Sequence, residues 1–311
     1  MGAIRIHEHN DEYDTPVLRA DSIVSESSPA VRPGHLYIVA TPIGHLGDLS
    51  PRAQAVLGAV DRILAEDTRN SRALLAHFGI ATRLGALHEH NESTASTPLV
   101  QELVAGASLA LISDAGTPLV SDPGFVLVRE ARAAGVPVIA VPGPCAAIAA
   151  LSVSGLPSDR FVFEGFLPAK AAARRARLQA LAGEARTLVL YESSHRIVEA
   201  AADIGAVFGE RSVCLARELT KLYEQSVVLA AHTLPAWLAE DAHRTRGEFV
   251  LLIAGTPDDD RTEHDGERVL RLLLRELPPS SAARLAADIS GARRKDLYAL
   301  ALKITNESPQ T

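Results

Sequence analysis

Apolar and polar positions fall into two regimes along this chain. Over residues 1–33 they show no period, and the stretch closes on Ser27-Ser28-Pro29 and Pro33-Gly34, a composition expected of a disordered extension. From His35 the pattern changes to short apolar runs separated by polar, glycine-containing loops. Leu36-Tyr37-Ile38-Val39-Ala40 suits a buried strand. It breaks into Thr41-Pro42-Ile43-Gly44-His45, and Ser50-Pro51 then supplies an N-cap followed by proline at the first helical position. The same grammar recurs. A strand over 61–65 leads through Asp67-Thr68 into a helix over 71–78, and a strand over 109–112 runs into Ser113-Asp114-Ala115-Gly116-Thr117-Pro118. Asp122-Pro123 is expected to cap a helix that stops at Gly135, and a strand over 138–141 breaks at Pro142-Gly143-Pro144 into a small-residue helix over 145–151. Strands alternating with helices predict an α/β domain over 34–153 with a mostly parallel sheet, whose ligands bind at the carboxyl ends of strands.

A boundary is expected near Ser154-Gly155-Leu156-Pro157. Over 154–256 five apolar runs read as strands, with only two helices (about 169–182 and 194–207) between them, which predicts a second, mixed or largely antiparallel α/β domain. Residues 257–265 read as an acidic linker. Residues 266–311 read as helical, with Gly291 between two short helices in the manner of a helix-turn-helix.

Charge changes this picture little once it is located. The net charge is −7, but residues 1–31 and 257–268 each hold six acids and two arginines, a net of −4 apiece, so the rest carries about +1. The balance therefore neither favours nor excludes a nucleic-acid partner. No apolar run reaches the ~18 residues that span a bilayer and no basic-then-apolar leader opens the chain, so no membrane association is expected. The two cysteines, Cys145 and Cys214, lie far apart, which suits a reducing cytoplasm and argues against a disulfide scaffold or a zinc site.

Several loops carry candidate chemistry. In 113–118 small residues let backbone approach a ligand and Asp114 can accept hydrogen bonds, although an ordinary capped turn would use the same residues. The 141–147 turn presents N–H groups at a helix start beside small side chains. Neither matches GxGxxG or a P-loop, which speaks against a dinucleotide or nucleotide-triphosphate site. Glu66-Asp67-Thr68-Arg69-Asn70-Ser71 gathers more charge than a solvated helix start requires and reads as facing a substrate. His88 and His90, expected on one face of a strand, lack a third ligand at a recognisable spacing, so substrate contacts are preferred to a metal. Ser194 next to His195 is not a triad geometry. Residues 216–224 mix charge with aromatic character where a plain hairpin needs neither. Cys145 reads as a small packed residue and Cys214 as core. Two basic clusters, Lys170-Arg174-Arg175-Arg177 and Arg293-Arg294-Lys295, are either solvated faces or phosphate contacts.

The order of these motifs is more telling than any one of them. Ala40-Thr41-Pro42-Ile43-Gly44, Glu66-Asp67-Thr68-Arg69, His88-Glu89-His90-Asn91-Glu92, Ser113–Pro118, Val141-Pro142-Gly143-Pro144, Tyr191-Glu192-Ser193 and Gly247-Glu248-Phe249-Val250 follow one another in a series. It resembles the bacterial small-subunit ribosomal RNA methyltransferase I family of the tetrapyrrole methylase superfamily, over about residues 34–304. The resemblance implies a two-domain tetrapyrrole-methylase-like fold with a small C-terminal helical subdomain, and S-adenosylmethionine (SAM) in the cleft between the domains. It further implies a cytoplasmic homodimer that methylates the 2′-oxygen of a cytidine ribose in the decoding region of 16S rRNA, within the 30S subunit. The SAM contacts it implies are Pro42, Asp114, Gly116, Thr117, Cys145, Ala146, Leu190 and Tyr191, with the Ala216 region and Gly247 closing the pocket. For the chemistry, Asp67 or Glu66 is expected as general base, with Glu218 next. Arg69 and Lys221 would hold phosphate, His88 and Asn91 would position substrate, and Arg293, Arg294 and Lys295 would contact RNA. No metal is expected. The alternatives are a relative methylating a tetrapyrrole or other small substrate, and a non-catalytic RNA-binding assembly protein.

Overall fold

The computed structural model describes residues 31–256 and 258–307. The expected extension lies outside the described residues up to residue 30. Its last three residues belong to the fold: Val31 packs against the first core, and the Arg32 N–H donates to the Tyr37 hydroxyl at 2.8 Å.

Two five-stranded sheets carry the architecture. The first half runs β1 (Leu36–Val39), α1 (Pro51–Ala59), β2 (Arg62–Ala65), α2 (Thr68–His77), β3 (Leu84–Ala86), α3 (Glu92–Val104), β4 (Leu109–Ile112), α4 (Phe125–Ala133), β5 (Val138–Val141) and α5 (Ala146–Val153). Its sheet has the order β3-β2-β4-β1-β5 and is parallel throughout. Period-two alternation serves both faces at once. In β4, Leu109 and Leu111 pack under α3 and α4, while Ala110 and Ile112 face the core that holds α1 and α2. Ser50 caps α1 as expected, its hydroxyl accepting from the Ala53 N–H at 3.1 Å.

The second half runs β6 (Phe161–Phe166), α6 (Ala171–Leu181), β7 (Thr187–Ser193), α7 (Ile197–Phe208), β8 (Ser212–Arg217), β9 (Gln225–Ala230), the short α8 (Leu234–Ala239) and β10 (Glu248–Ile253). The order is β6-β7-β10-β8-β9, parallel only between β6 and β7, so the sheet is mixed. Leu188, Leu190, Leu215 and Leu251 point to the helices on one face. Val189, Cys214, Ala216, Val250 and Leu252 point to the other, where they meet Ala147, Ala150 and Leu151 of α5 and Ile43 of the loop after β1. The small residues of α5 thus join the two halves by packing on the second sheet.

Three corrections follow from this geometry. The acidic segment 257–265 is not a linker throughout, because α9 (Asp258–Leu273) already begins within it; α10 (Pro279–Ser290) and α11 (Arg294–Glu307) complete the C-terminal helices around a small apolar core. Gly291 ends α10 in the left-handed conformation at φ 77°. His88 and His90 lie in a turn rather than on a strand, since β3 stops at Ala86. The 170–177 cluster is not an open basic face. Arg174 is buried and bonds Asp203 at 2.7 Å and Glu199 at 3.2 Å, and Arg177 pairs with Glu164.

Removing one partner of such a buried pair strands the other charge. Arg174→Met is expected to cost about 3–5 kcal/mol in urea unfolding, against well under ~1 kcal/mol for Arg284→Ala, which breaks an exposed pair with Asp288. Equal losses in the two variants would contradict the buried ion pair.

Candidate functional site

A cleft of about 320 Å³ opens where the ends of strands from both sheets converge. Ile43 follows β1, the Ala115–Thr117 stretch follows β4, and Cys145 and Ala146 follow β5. From the second half come Phe166 at the end of β6, Tyr191 on β7 and Ala216 on β8. This is the position at which open α/β sheets bind ligands.

The loops that form the rim are tied to one another. Thr41 and Gly116 exchange main-chain hydrogen bonds at 2.9 and 3.0 Å, and the Thr41 hydroxyl donates to the Ser113 carbonyl at 3.1 Å. Gly116 sits at φ 88°, where a side chain would be strained and its Cβ would lie 3.3 Å from Ile43. The Thr117 hydroxyl donates to the Pro144 carbonyl at 2.9 Å. Across the cleft, the Tyr191 hydroxyl accepts from the Ala147 N–H in the first turn of α5 at 3.1 Å. Burial holds this phenol well above its ordinary range, so it stays neutral.

The cleft suits a cofactor with an apolar body and polar ends. Its volume is within the ~300–1,000 Å³ of small-molecule sites. Ile43, Val120, Phe166, Leu219 and Val250 supply apolar wall. Glu192 also lines it. Its Oε1 accepts from the Arg196 guanidinium and the Ser193 N–H, both at 2.8 Å, while its buried Oε2 has no partner and can accept from an amino or hydroxyl group.

Of the expected SAM contacts, Gly116, Thr117, Cys145, Ala146 and Tyr191 line the cleft. Pro42 is buried beneath its rim. Leu190 points to the opposite face of its sheet and is fully buried there, so only its main chain lies near the cleft. Asp114 lies outside and ties two loops, accepting from the Asp67 N–H at 3.1 Å and the Asn70 amide at 2.9 Å. Ala216 lines the cleft, whereas Gly247 lines a neighbouring cavity.

The expected substrate residues divide in the same way. Asp67 caps α2 and is gripped by the Arg69 guanidinium at 2.7 Å, which lowers its carboxyl to about 2. Asp67 and Arg69 therefore occupy each other. Lys221 is held by Glu218 at 2.9 Å and Glu248 at 2.8 Å. Glu218, although partly desolvated, is kept below its ordinary value by that lysine. Asn91 staples its own turn, accepting from the His88 N–H at 2.8 Å and donating to the Ala86 carbonyl at 3.2 Å. The Nδ1 of His88 is buried without a partner. Arg293, Arg294 and Lys295 are exposed at the start of α11, far along the chain from the cleft. Among the described residues no group of three or more His, Cys, Asp or Glu is placed to hold a metal ion.

Asp122 does not cap α4 as expected. The cap of α4 comes from Glu92, which accepts from the Gly124 and Val126 N–H groups at 3.0 and 2.6 Å. Asp122 instead faces Glu66 and Asp114. Burial first and then Glu66 push it up to about 6, against the Ser113 hydrogen bond. Glu66 is itself raised by burial and by Asp114, with His88 opposing. Left-handed backbone at Leu119 (φ 72°) and Ser121 (φ 66°) was the feature that the sequence could not announce, since neither is glycine. Phe166, at the end of β6, is a further cleft residue outside the expected set.

Because the folded-state value of Asp122 lies above its ordinary 3.8, ionisation costs stability as pH rises from about 4 through 6, and the whole cost is present above 6. Asp122→Asn should therefore gain thermal stability relative to the parent at pH 8 but not at pH 4. Parallel melting-temperature profiles for the two proteins over that interval would refute the shift.

The sequence comparisons agree with this geometry. Residues 35–235 match the family model of Tetrapyrrole (Corrin/Porphyrin) Methylases, and 260–305 match the RsmI C-terminal HTH domain. The ribosomal RNA small subunit methyltransferase I of Xylella fastidiosa is 59% identical over 86% of this chain and 98% of its own length. The protein of the same name from Pseudomonas aeruginosa is 54% identical over 88% and 99%. The solved methyltransferase CobJ shares the fold at a TM-score of 0.53 and 18% identity, covering 72% of this chain and 95% of its own. No helix among the described residues is long and apolar enough to cross a membrane. With the family model matching residues 35–235 and relatives of this identity along nearly their whole length, the chain belongs to the SAM-dependent tetrapyrrole (corrin/porphyrin) methylases, in the small-subunit ribosomal RNA methyltransferase I family.

Proposed function

We propose that this protein methylates the 2′-oxygen of a cytidine ribose in the decoding region of 16S rRNA, acting on the 30S subunit in the cytoplasm as a homodimer. The observation that carries this reading is the extent of the resemblance to the rRNA methyltransferases. It runs through both sheets and on into the C-terminal helices, which a tetrapyrrole substrate does not call for.

SAM supplies an electrophilic methyl group, and the chain's own residues align the acceptor and manage its proton. Gly116, Thr117, Cys145, Ala146 and Tyr191 would form the donor site. Glu66 suits the role of proton acceptor better than the other two carboxylates considered, because Asp67 is neutralised by Arg69 and Glu218 by Lys221. Arg293, Arg294 and Lys295 stand at the N-terminal end of α11, where the helix dipole disfavours cations, and none of them has an ion-pair partner among the described residues. A bound phosphate backbone would relieve that arrangement.

Labelled SAM with 30S subunits, run against naked 16S rRNA and followed by mapping of the modified ribose, tests the reaction. Methyl transfer to a cytidine 2′-oxygen is expected, and transfer to a base, or none, refutes it. Glu66→Gln is expected to lower single-turnover methylation by 10²-fold or more, while Asp67→Asn keeps most of it. The reverse order would return the role to Asp67. Reversing the charges of Arg293, Arg294 and Lys295 together should weaken 30S binding and leave SAM affinity intact, as calorimetry would show.

A further inference from the structure

Phe166 owes its place in the cleft wall to an irregularity in β6. Up to Phe163 the strand pairs with β7 in regular register, Val162 opposite Leu188 and Phe163 opposite Val189. The register then slips by one, so that Gly165 meets Leu190 and Phe166 meets Tyr191. Had the pairing continued unbroken, Phe166 would stand opposite Glu192, on the face that packs against the helices with Leu188 and Leu190. The extra residue turns its ring to the face of Tyr191 instead, and Gly165 accommodates the bulge at φ 65°.

The ring is then held in that position. Tyr191 meets it edge to face, with ring centres 5.7 Å apart at 64°. The Arg196 guanidinium lies over it at 5.8 Å from its centre. Arg196 is itself fixed, donating to Glu192 at 2.8 Å and to the Leu167 carbonyl at 3.1 Å. Even so, Phe166 is 51% exposed. Exposure alone would mean little, since single exposed apolar side chains are common. A ring re-aimed by a bulge, backed by a guanidinium and open on the wall of a ligand cleft is a preformed stacking surface.

Its surroundings indicate which planar group it takes. A Cβ on Gly165 would lie 3.0 Å from the Ser121 hydroxyl, so the bulge abuts the loop whose next residue, Asp122, faces Glu66. Glu66 is the proposed proton acceptor, which puts the ring on the side of the methyl acceptor. Four of the five proposed donor contacts, Gly116, Thr117, Cys145 and Ala146, come from the other half of the chain. A second copy of the chain covering the ring would close the cleft that the acceptor has to enter.

We propose that Phe166 is the platform on which the base of the nucleotide being methylated stacks, fixing the attached ribose against the methyl donor. The inference rests on RNA being the substrate. Unstacked bases of single-stranded RNA are held on aromatic rings in this way.

The test compares kcat/KM for 30S subunits with SAM affinity by calorimetry in three variants. Phe166→Ala should lower kcat/KM by about tenfold or more. Phe166→Leu, which keeps apolar bulk without a flat face, should lose a similar factor, and Phe166→Trp should stay close to the parent. All three should keep the parent's SAM affinity, which also reports an intact fold. Undiminished kcat/KM in Phe166→Ala overturns the proposal, and parental kcat/KM in Phe166→Leu reduces the ring to apolar wall. SAM affinity falling in step with kcat/KM would give the ring to the adenine of the donor, and overturns it too. If the parent protein methylates neither 30S subunits nor 16S rRNA, the RNA reading itself fails, and this role with it.

Discussion

The packing of α5 on the second sheet is the constraint on which the site depends. A helix built as Ala146-Ala147-Ile148-Ala149-Ala150 can approach β7, β8 and β10 closely because its contacting residues are small. Its first turn is left with unsatisfied N–H groups, and the Tyr191 hydroxyl takes one of them. The same contact lies beside the hydrophobic seam between the halves, at the edge of the cleft. A ligand there is bordered by both sheets, so binding and the mutual placement of the halves are one structural problem.

Around that apolar seam the charged groups have separate tasks. Asp67 with Arg69, and Lys221 with Glu218 and Glu248, are satisfied internally and hold loop shape. Glu66 and Asp122 are not satisfied in this way. Partial burial without an ion-paired cation raises both carboxyls, that of Asp122 to about 6. The distinction between the two classes is geometric, since all of these residues are similar in type and lie in similar loops.

That distinction also marks the limit of what could be read from sequence. Strand–loop–helix order, the parallel first sheet and the mixed second sheet were legible because alternation, Ser-Pro starts and Pro-Gly breaks are local signals. The loops that line the cleft were legible by position, at strand ends. What escaped was pairing over distance: Lys221 finding Glu248, 27 residues on, and Arg174 finding Asp203, 29 residues on. Leu190 illustrates a different limit, since any contact it makes in the cleft has to come from its main chain. Adjacent residues in a strand face opposite ways, so once Tyr191 faces the cleft, Leu190 cannot. The left-handed residues Leu119 and Ser121 had no sequence signature at all.

The cations at the start of α11 and Arg217 differ in how firmly they are held. Arg293, Arg294 and Lys295 lie on a C-terminal helix whose core is separate from both sheets, so they can add affinity without setting the position of the reacting atoms. Arg217 is fixed by three carbonyls in a wall shared with the cleft. The Glu248 N–H, donating to Glu218, joins that wall to the edge of the cleft. Methyl transfer depends on alignment, since a misplacement of about 1 Å can cost on the order of 10²-fold in rate. Under the proposed function the exposed cations of α11 would add affinity, while register would come from the loops tied to one another at the cleft rim.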